Sequence, residues 1–203
     1  MLNKSLYSQK YNVEFFHITK NAMTAIIRDM GMDWYERDTL PSDRKIFCVT
    51  RDPLNRTLSG FNEIKKLYAM GVREHTFRTL PKDIENKIFN NGDLKESFEL
   101  YITELENKGF FDSHNQLQYD FLEGYTVKSL FDVPRKIDDI QYFLKFESIN
   151  EELSNLLGQN FNLNRVNSGN QNVKNSLKPI LETYKDRIYN LYKKDYAIIE
   201  NYG

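Results

Sequence analysis

Apolar positions along this chain fall into two rhythms, and they alternate. Val13 to Ile18 is a β-branched and aromatic run that fits a buried strand, and Asn21 to Met30 behind it has helical spacing, with Gly31 as its stop. Lys45 to Thr50 is a second apolar run. Arg51, Asp52 and Pro53 follow it, with Asp as a cap and Pro at the first helical position. Leu54, Leu58, Phe61 and Tyr68 then share one face, with Asn55, Ser59, Asn62 and Lys66 on another, which predicts a helix to about Met70. Residues 71 to 92 are polar and irregular, with room for one short helix. Asp93 to Glu106 is again amphipathic and ends at Gly109. Ile140 to Phe146 reads as a strand, Asn150 to Leu157 as a helix closed by Gly158, and Leu177 to Ile199 as one long or broken helix.

Strands alternating with helices predict an α/β fold, a central and mainly parallel sheet flanked by helices. The chain of 203 residues has no internal repeat, no Pro- or Gly-rich linker and no low-complexity block, which predicts a single domain over residues 1–203.

Charge narrows the partners. Lys plus Arg number 28 against 29 for Asp plus Glu, so nothing general favours nucleic acid or an anionic membrane, and any anion site is local. No window approaches the roughly 18 apolar residues of a membrane span. The amino end lacks the continuous apolar stretch of a signal peptide, so a cytoplasmic location is expected. Cys48 is the only cysteine, which excludes an internal disulfide and suggests a reducing compartment; inside KIFCV it reads as core. Three scattered histidines and one cysteine make no zinc site, and no metal is expected.

Two segments carry candidate chemistry, each where a predicted strand hands over to a predicted helix. HITKNAMT, His17 to Thr24, offers unpaired backbone N–H groups, the Lys20 cation and the Thr24 hydroxyl to an anion. It lacks the glycines of the usual nucleoside-triphosphate loop, which argues against an ordinary kinase. On its own, a solvated Lys and a capping hydroxyl explain it as well. RDPLNRTLSGF, Arg51 to Phe61, starts at the carboxyl end of the second strand. There Arg51 presents a planar fork to a phosphate, with Ser59 two turns on.

HITKNAMT followed by VTRDPLNRTLSGF resembles the paired signatures of the sulfotransferases that use 3′-phosphoadenosine-5′-phosphosulfate (PAPS), most of all the carbohydrate type. KFESINEEL (Lys145 to Leu153) and the ending YKKDYAIIENYG are similar to further elements of that family. The resemblance implies a P-loop-NTPase-like sulfotransferase fold. It also implies a sulfuryl transfer from PAPS, without a metal, to a hydroxyl-bearing acceptor, with a glycan or small hydroxylated molecule favoured. Carried over, Lys20, Asn21, Ala22, Met23, Thr24 and Ala25 would bind the 5′-phosphosulfate, and Arg51 and Ser59 the 3′-phosphate. Asn167 and Ser168, in RVNSGNQN, would touch the nucleotide. Met23 stands where the family usually has a small residue, so its side chain must turn into the core for its amide to donate.

Within that reading Lys20 neutralises the leaving oxygen, and a base takes the acceptor's proton. His114, in a segment resembling the family's H-x-x-x-Q, is the first candidate, with Glu63, Asp112 and His17 as alternatives; His75 has no supporting context. Glu147 reads as a brace for the phosphate segments, and Arg56 as structural, bridged to Asp52. The competing readings are a nucleotide-dependent kinase of related fold and an inactive nucleotide-binding module.

Overall fold

Every residue of Val13–Phe16 is buried, which is what a strand covered on both faces demands of its sequence. The computed structural model describes residues 4–73, 76, 78–123, 137–164 and 171–202. Its strands are β1 (Lys4–Ser8), β2 (Val13–Phe16), β3 (Asp33–Glu36), β4 (Lys45–Thr50) and β5 (Tyr142–Lys145), in the order β3-β1-β2-β4-β5. The helices are α1 (Met23–Asp29), α2 (Pro53–Ala69), α3 (Lys82–Phe89), α4 (Leu94–Lys108), α5 (Gln118–Leu122), α6 (Ile149–Leu157), α7 (Gln171–Leu191) and α8 (Lys193–Tyr202).

The fold is α/β, and its sheet is mixed. β2, β4 and β5 run parallel, with Phe15 beside Phe47 and Cys48 beside Phe143, while β1 pairs antiparallel with both β2 and β3. The antiparallel strands have no strong apolar signal. Ser5 and Ser8 of β1 are fully buried, and the Ser8 hydroxyl donates to the Met30 carbonyl at 2.7 Å. β3 buries none of its four residues.

By its contacts the chain divides into two compact units: Met1–Asp52 with Gln118–Asn167 and Ala197–Gly203, and Pro53–Leu117 with Ser168–Tyr196. The first holds the sheet. On one face Leu6, Val13, Phe15, Phe47 and Val49 meet Ile26 of α1 and Ile149, Leu153 and Leu156 of α6, with the Phe15 and Phe47 rings stacked 5.0 Å apart. On the other, Phe16 and Cys48 meet Phe121 and Leu122 of α5 and Ile198. Burial pushes the Cys48 thiol well above its ordinary pKa, so it is core.

The second unit is helical. Leu58, Phe61 and Ile64 of α2 pack with Ile88 and Phe89 of α3, Phe98, Tyr101 and Leu105 of α4, and Leu177, Leu181, Tyr184 and Ile188 of α7. Phe61 meets the Phe98 ring edge-on at 5.2 Å. The Asp93 carboxylate caps α4 by accepting from the Lys95 and Glu96 amides, and Gly109 ends the helix at a φ of 75°. The segment expected as one long or broken helix is α7 and α8, broken at the buried Tyr192. No helix among the described residues is long and apolar enough to cross a membrane.

Candidate functional site

The chain leaves β2 through residues 17–22, and its backbone there is unusual. Lys20 (φ 72°) and Ala22 (φ 64°) are both left-handed, a region that costs a non-glycine residue about 1 kcal/mol. Asn21 between them is fully buried. Its backbone N–H donates to the Ile18 carbonyl at 3.2 Å, and its side-chain Nδ2 donates to the Val49 carbonyl and to Gln118 Oε1, each at 2.6 Å. Those buried bonds hold a loop that its residue types do not favour. Left-handed turns alternating along a short loop are how backbone nests aim successive N–H groups at one anion. Met23, at the start of α1, packs its side chain against the core on the sheet, as do Ala22 and Ala25. The bulk of Met23 is therefore taken up by the core, which leaves its amide available at the loop. Thr24 is exposed.

β4 ends at Thr50, and the next residue meets that loop. The Arg51 Nη1 donates to the Lys20 carbonyl at 3.0 Å, and the guanidinium lies 4.2 Å from the centre of the Phe146 ring. Arg51 is also held by its main chain: its N–H donates to Gln118 Oε1 and its carbonyl accepts from Gln118 Nε2, each at 2.9 Å. The Asp52 amide donates to Glu147 at 3.3 Å, which makes Glu147 a brace for the segment after β4. Lys20, Asn21 and Arg51 thus form one corner at the carboxyl ends of two adjacent parallel strands, the usual place for a ligand in an open α/β sheet.

Gln118 ties this corner together, and the sequence pattern did not single it out for that work. The resemblance covered its position as part of H-x-x-x-Q and implied a place in the acceptor cleft. In the structure its amide is spent on Asn21 and Arg51, and only 1% of the residue is exposed. A polar residue opening a five-residue helix has no periodicity that would betray its burial.

Of the other expected residues, His17 belongs to the first unit, and the rest belong to the second or fall outside the described residues. Ser59 is half-buried on α2. His114 is buried, with its Nδ1 2.6 Å from Asp112 Oδ1, an oxygen that also accepts from the His114 amide at 2.8 Å. Asp112 thus holds His114 through both its ring and its main chain. The turn is stiffened by Asn115, whose Oδ1 accepts from the Phe111 and Asp112 amides at 3.1 Å and whose carbonyl accepts from the Tyr192 hydroxyl at 2.8 Å. Gly60 lets this turn sit on α2: a Cβ there would lie 2.5 Å from the His114 carbonyl oxygen. Arg56 is buried and donates to the Gln116 carbonyl at 2.6 Å, which is a structural role. Glu63 is half-buried, 3.7 Å from Lys66 on the same helix. His17 belongs to the first unit, its ring edge-on to Trp34 at 5.9 Å. His75, Asn167 and Ser168 lie outside the described residues.

No group of three or more His, Cys, Asp or Glu among the described residues is arranged to hold a metal ion. No curated protein and no solved structure matches the chain significantly. A family model does, over residues 27–200, which takes in Arg51, Ser59, His114 and Gln118 but begins after the loop that carries Lys20. The match spans most of the chain and agrees with the α/β architecture: the chain belongs to the Sulfotransferase family.

Proposed function

We propose that this chain transfers a sulfuryl group from PAPS to a hydroxyl acceptor, a glycan or small hydroxylated molecule being favoured. The observation that carries the proposal is the hydrogen bond from the Arg51 guanidinium to the Lys20 carbonyl. It joins two strand-end loops, each with a cationic side chain, closely enough for both to serve one doubly phosphorylated nucleotide. The left-handed loop around Asn21 suits the 5′-phosphosulfate, with the backbone of Ala22 to Ala25 and the Thr24 hydroxyl as donors and Asn21 holding the loop, and Arg51 suits the 3′-phosphate. Ser59, Asn167 and Ser168 are assigned to the same nucleotide on the resemblance alone.

PAPS supplies an activated sulfuryl group, and in-line transfer needs negative charge offset at both ends. Lys20 offsets the charge that grows on the leaving phosphate oxygen. On the resemblance, His114 takes the proton of the acceptor hydroxyl, with its ring held through Nδ1 by Asp112. The buried Asp112 carboxylate stabilises the imidazolium that forms, as orienting carboxylates do for other catalytic histidines. A cytoplasmic setting belongs to the same proposal.

Two measurements test it together. In thermal shift, adenosine 3′,5′-bisphosphate should stabilise the protein and ATP with magnesium should not; the reverse ranking would replace the reading with a kinase. Transfer of labelled sulfuryl from PAPS across a panel of sugars, phenols and lipids should then mark an acceptor. Bisphosphate binding with no transfer to any member would make the chain an inactive binding module.

A further inference from the structure

We propose that Gln118 is a positioning residue that fixes the spacing between the two strand-end loops, and thereby makes the site select a nucleotide with two phosphates over one with a single phosphate. This rests on the donor reading above and extends it to the origin of its selectivity.

The argument starts from the loops. Residues 17–22 hold two left-handed non-glycine residues, a shape that their own residue types disfavour. The segment after β4 belongs to a different strand. Gln118 bonds to both. Its Oε1 accepts from Asn21 Nδ2 at 2.6 Å and from the Arg51 amide at 2.9 Å, and its Nε2 donates to the Arg51 carbonyl at 2.9 Å. A side-chain amide matches a main-chain N–H and C=O pair in both polarity and spacing, so Gln118 grips Arg51 as a neighbouring strand would. Asn21 is fixed in turn to the Val49 carbonyl of β4. Buried Asn21 and Gln118 thus form a polar bridge to the half-buried Arg51, and at its buried end each unmade bond carries a full desolvation cost.

A ligand with one phosphate uses one loop and is indifferent to where the other lies. A ligand with two phosphates gains from the second only if the loops already stand at the right separation, because that pre-arrangement removes the ordering cost of the second contact. Gln118 supplies the separation. Its loss should reduce the chelate advantage and leave the single-phosphate contact nearly intact.

The test is calorimetric titration of wild type and Gln118→Met, a variant of similar length that lacks the amide. The ligands are adenosine 3′,5′-bisphosphate and adenosine 5′-monophosphate, with a melting curve on each protein. Bisphosphate affinity should fall about tenfold or more, as expected for losing roughly one net buried hydrogen bond's worth of pre-arrangement, and monophosphate affinity by less than about threefold. Equal weakening of both ligands would show that Gln118 only supports the fold, and unchanged affinities would show that it does nothing; either result overturns the proposal. If Gln118→Met does not fold, Gln118→Glu replaces it. That variant keeps an acceptor for Asn21 and for the Arg51 amide but sets an oxygen against the Arg51 carbonyl, and the same fall in the ratio is expected. A wild type with no preference for the bisphosphate would sink the donor reading itself, and this inference with it. A preference that survives in the variant would sink only the role of Gln118.

Discussion

β2 and β4 are neighbours in the sheet and run in the same direction, yet the chain leaves them in different ways. After β4 it needs two residues, Arg51 and Asp52, before α2 opens at Pro53, whose ring presets the helical φ. After β2 it needs six residues, two of them left-handed, before the seven-residue α1, whose start has no side-chain cap. The exit after β4, second along the chain, is written into its own residues. The first, after β2, is imposed by Asn21 and Gln118, which are buried and bonded to groups distant in the chain. A helix start without a side-chain cap does not spend its first N–H groups on a capping side chain, whereas a self-capping turn does.

The largest expected effect separates the two exits by role. Lys20→Ala should lower kcat by about 10²–10³ with little change in KM for PAPS, the size seen when one charge-stabilising donor is removed from a transition state. Arg51→Ala should act mainly on KM, and on the binding of adenosine 3′,5′-bisphosphate. Steady-state kinetics with an acceptor found in the panel decides this. If both variants moved the same parameter, the division between an exit for turnover and an exit for anchoring would be lost.

The helix that follows the second exit offers the next effect. Gly60→Ala on α2 would put a methyl group 2.5 Å from the His114 carbonyl oxygen, and that oxygen is main chain in a turn pinned by Asn115 and Tyr192. The turn has little room to yield, so we expect a loss of about 3 kcal/mol, the upper end for overpacking, together with a fall in kcat as His114 is displaced. Denaturant melts and turnover measured on the same preparation check it. A variant with wild-type stability would mean that the turn moves freely over α2.

What the sequence made legible follows the same division. Lys45–Thr50 and the Asp-Pro start of α2 were readable because strand, cap and helix are each signalled within a few residues. The helix ends at Gly109 and Gly158 were readable for the same reason. β1 was not, because buried serines interrupt its apolar run, and neither was β3, which buries none of its four residues. At the site, Lys20 and Arg51 stood out as cations at strand ends. The shape of the loop between them did not, since no glycine marks the left-handed positions and the bonds that hold them come from Gln118, 97 residues beyond Asn21. The grip of Asp112 on His114 was not legible either, since sequence shows two titratable groups close together but not the bond between them.

Asn21→Ala tests whether the first exit is held from outside. It removes the donor to the Val49 carbonyl and one of the two donors to Gln118 Oε1, and should cost about 2 kcal/mol by denaturant unfolding. A loss of only a few tenths would mean that water replaces both bonds and that the loop holds its own shape.

The smallest effect is the sharpest on this point, because it compares one chemical change at two places three residues apart. Ala22 is left-handed, at φ 64° and ψ 9°, whereas Ala25 lies inside α1. Glycine at position 25 should cost about 1 kcal/mol, the usual penalty of extra backbone freedom in a helix. At position 22 the same entropic cost is offset by about 1 kcal/mol of relieved left-handed strain, so Ala22→Gly should be close to neutral. The two variants should therefore differ by about 1 kcal/mol in denaturant unfolding. Equal losses would mean that residue 22 is not left-handed in solution, and the loop would then need no outside bonds to explain it. A neutral Ala22→Gly beside a costly Asn21→Ala would show that tertiary contacts hold this loop in a conformation that its own residues resist.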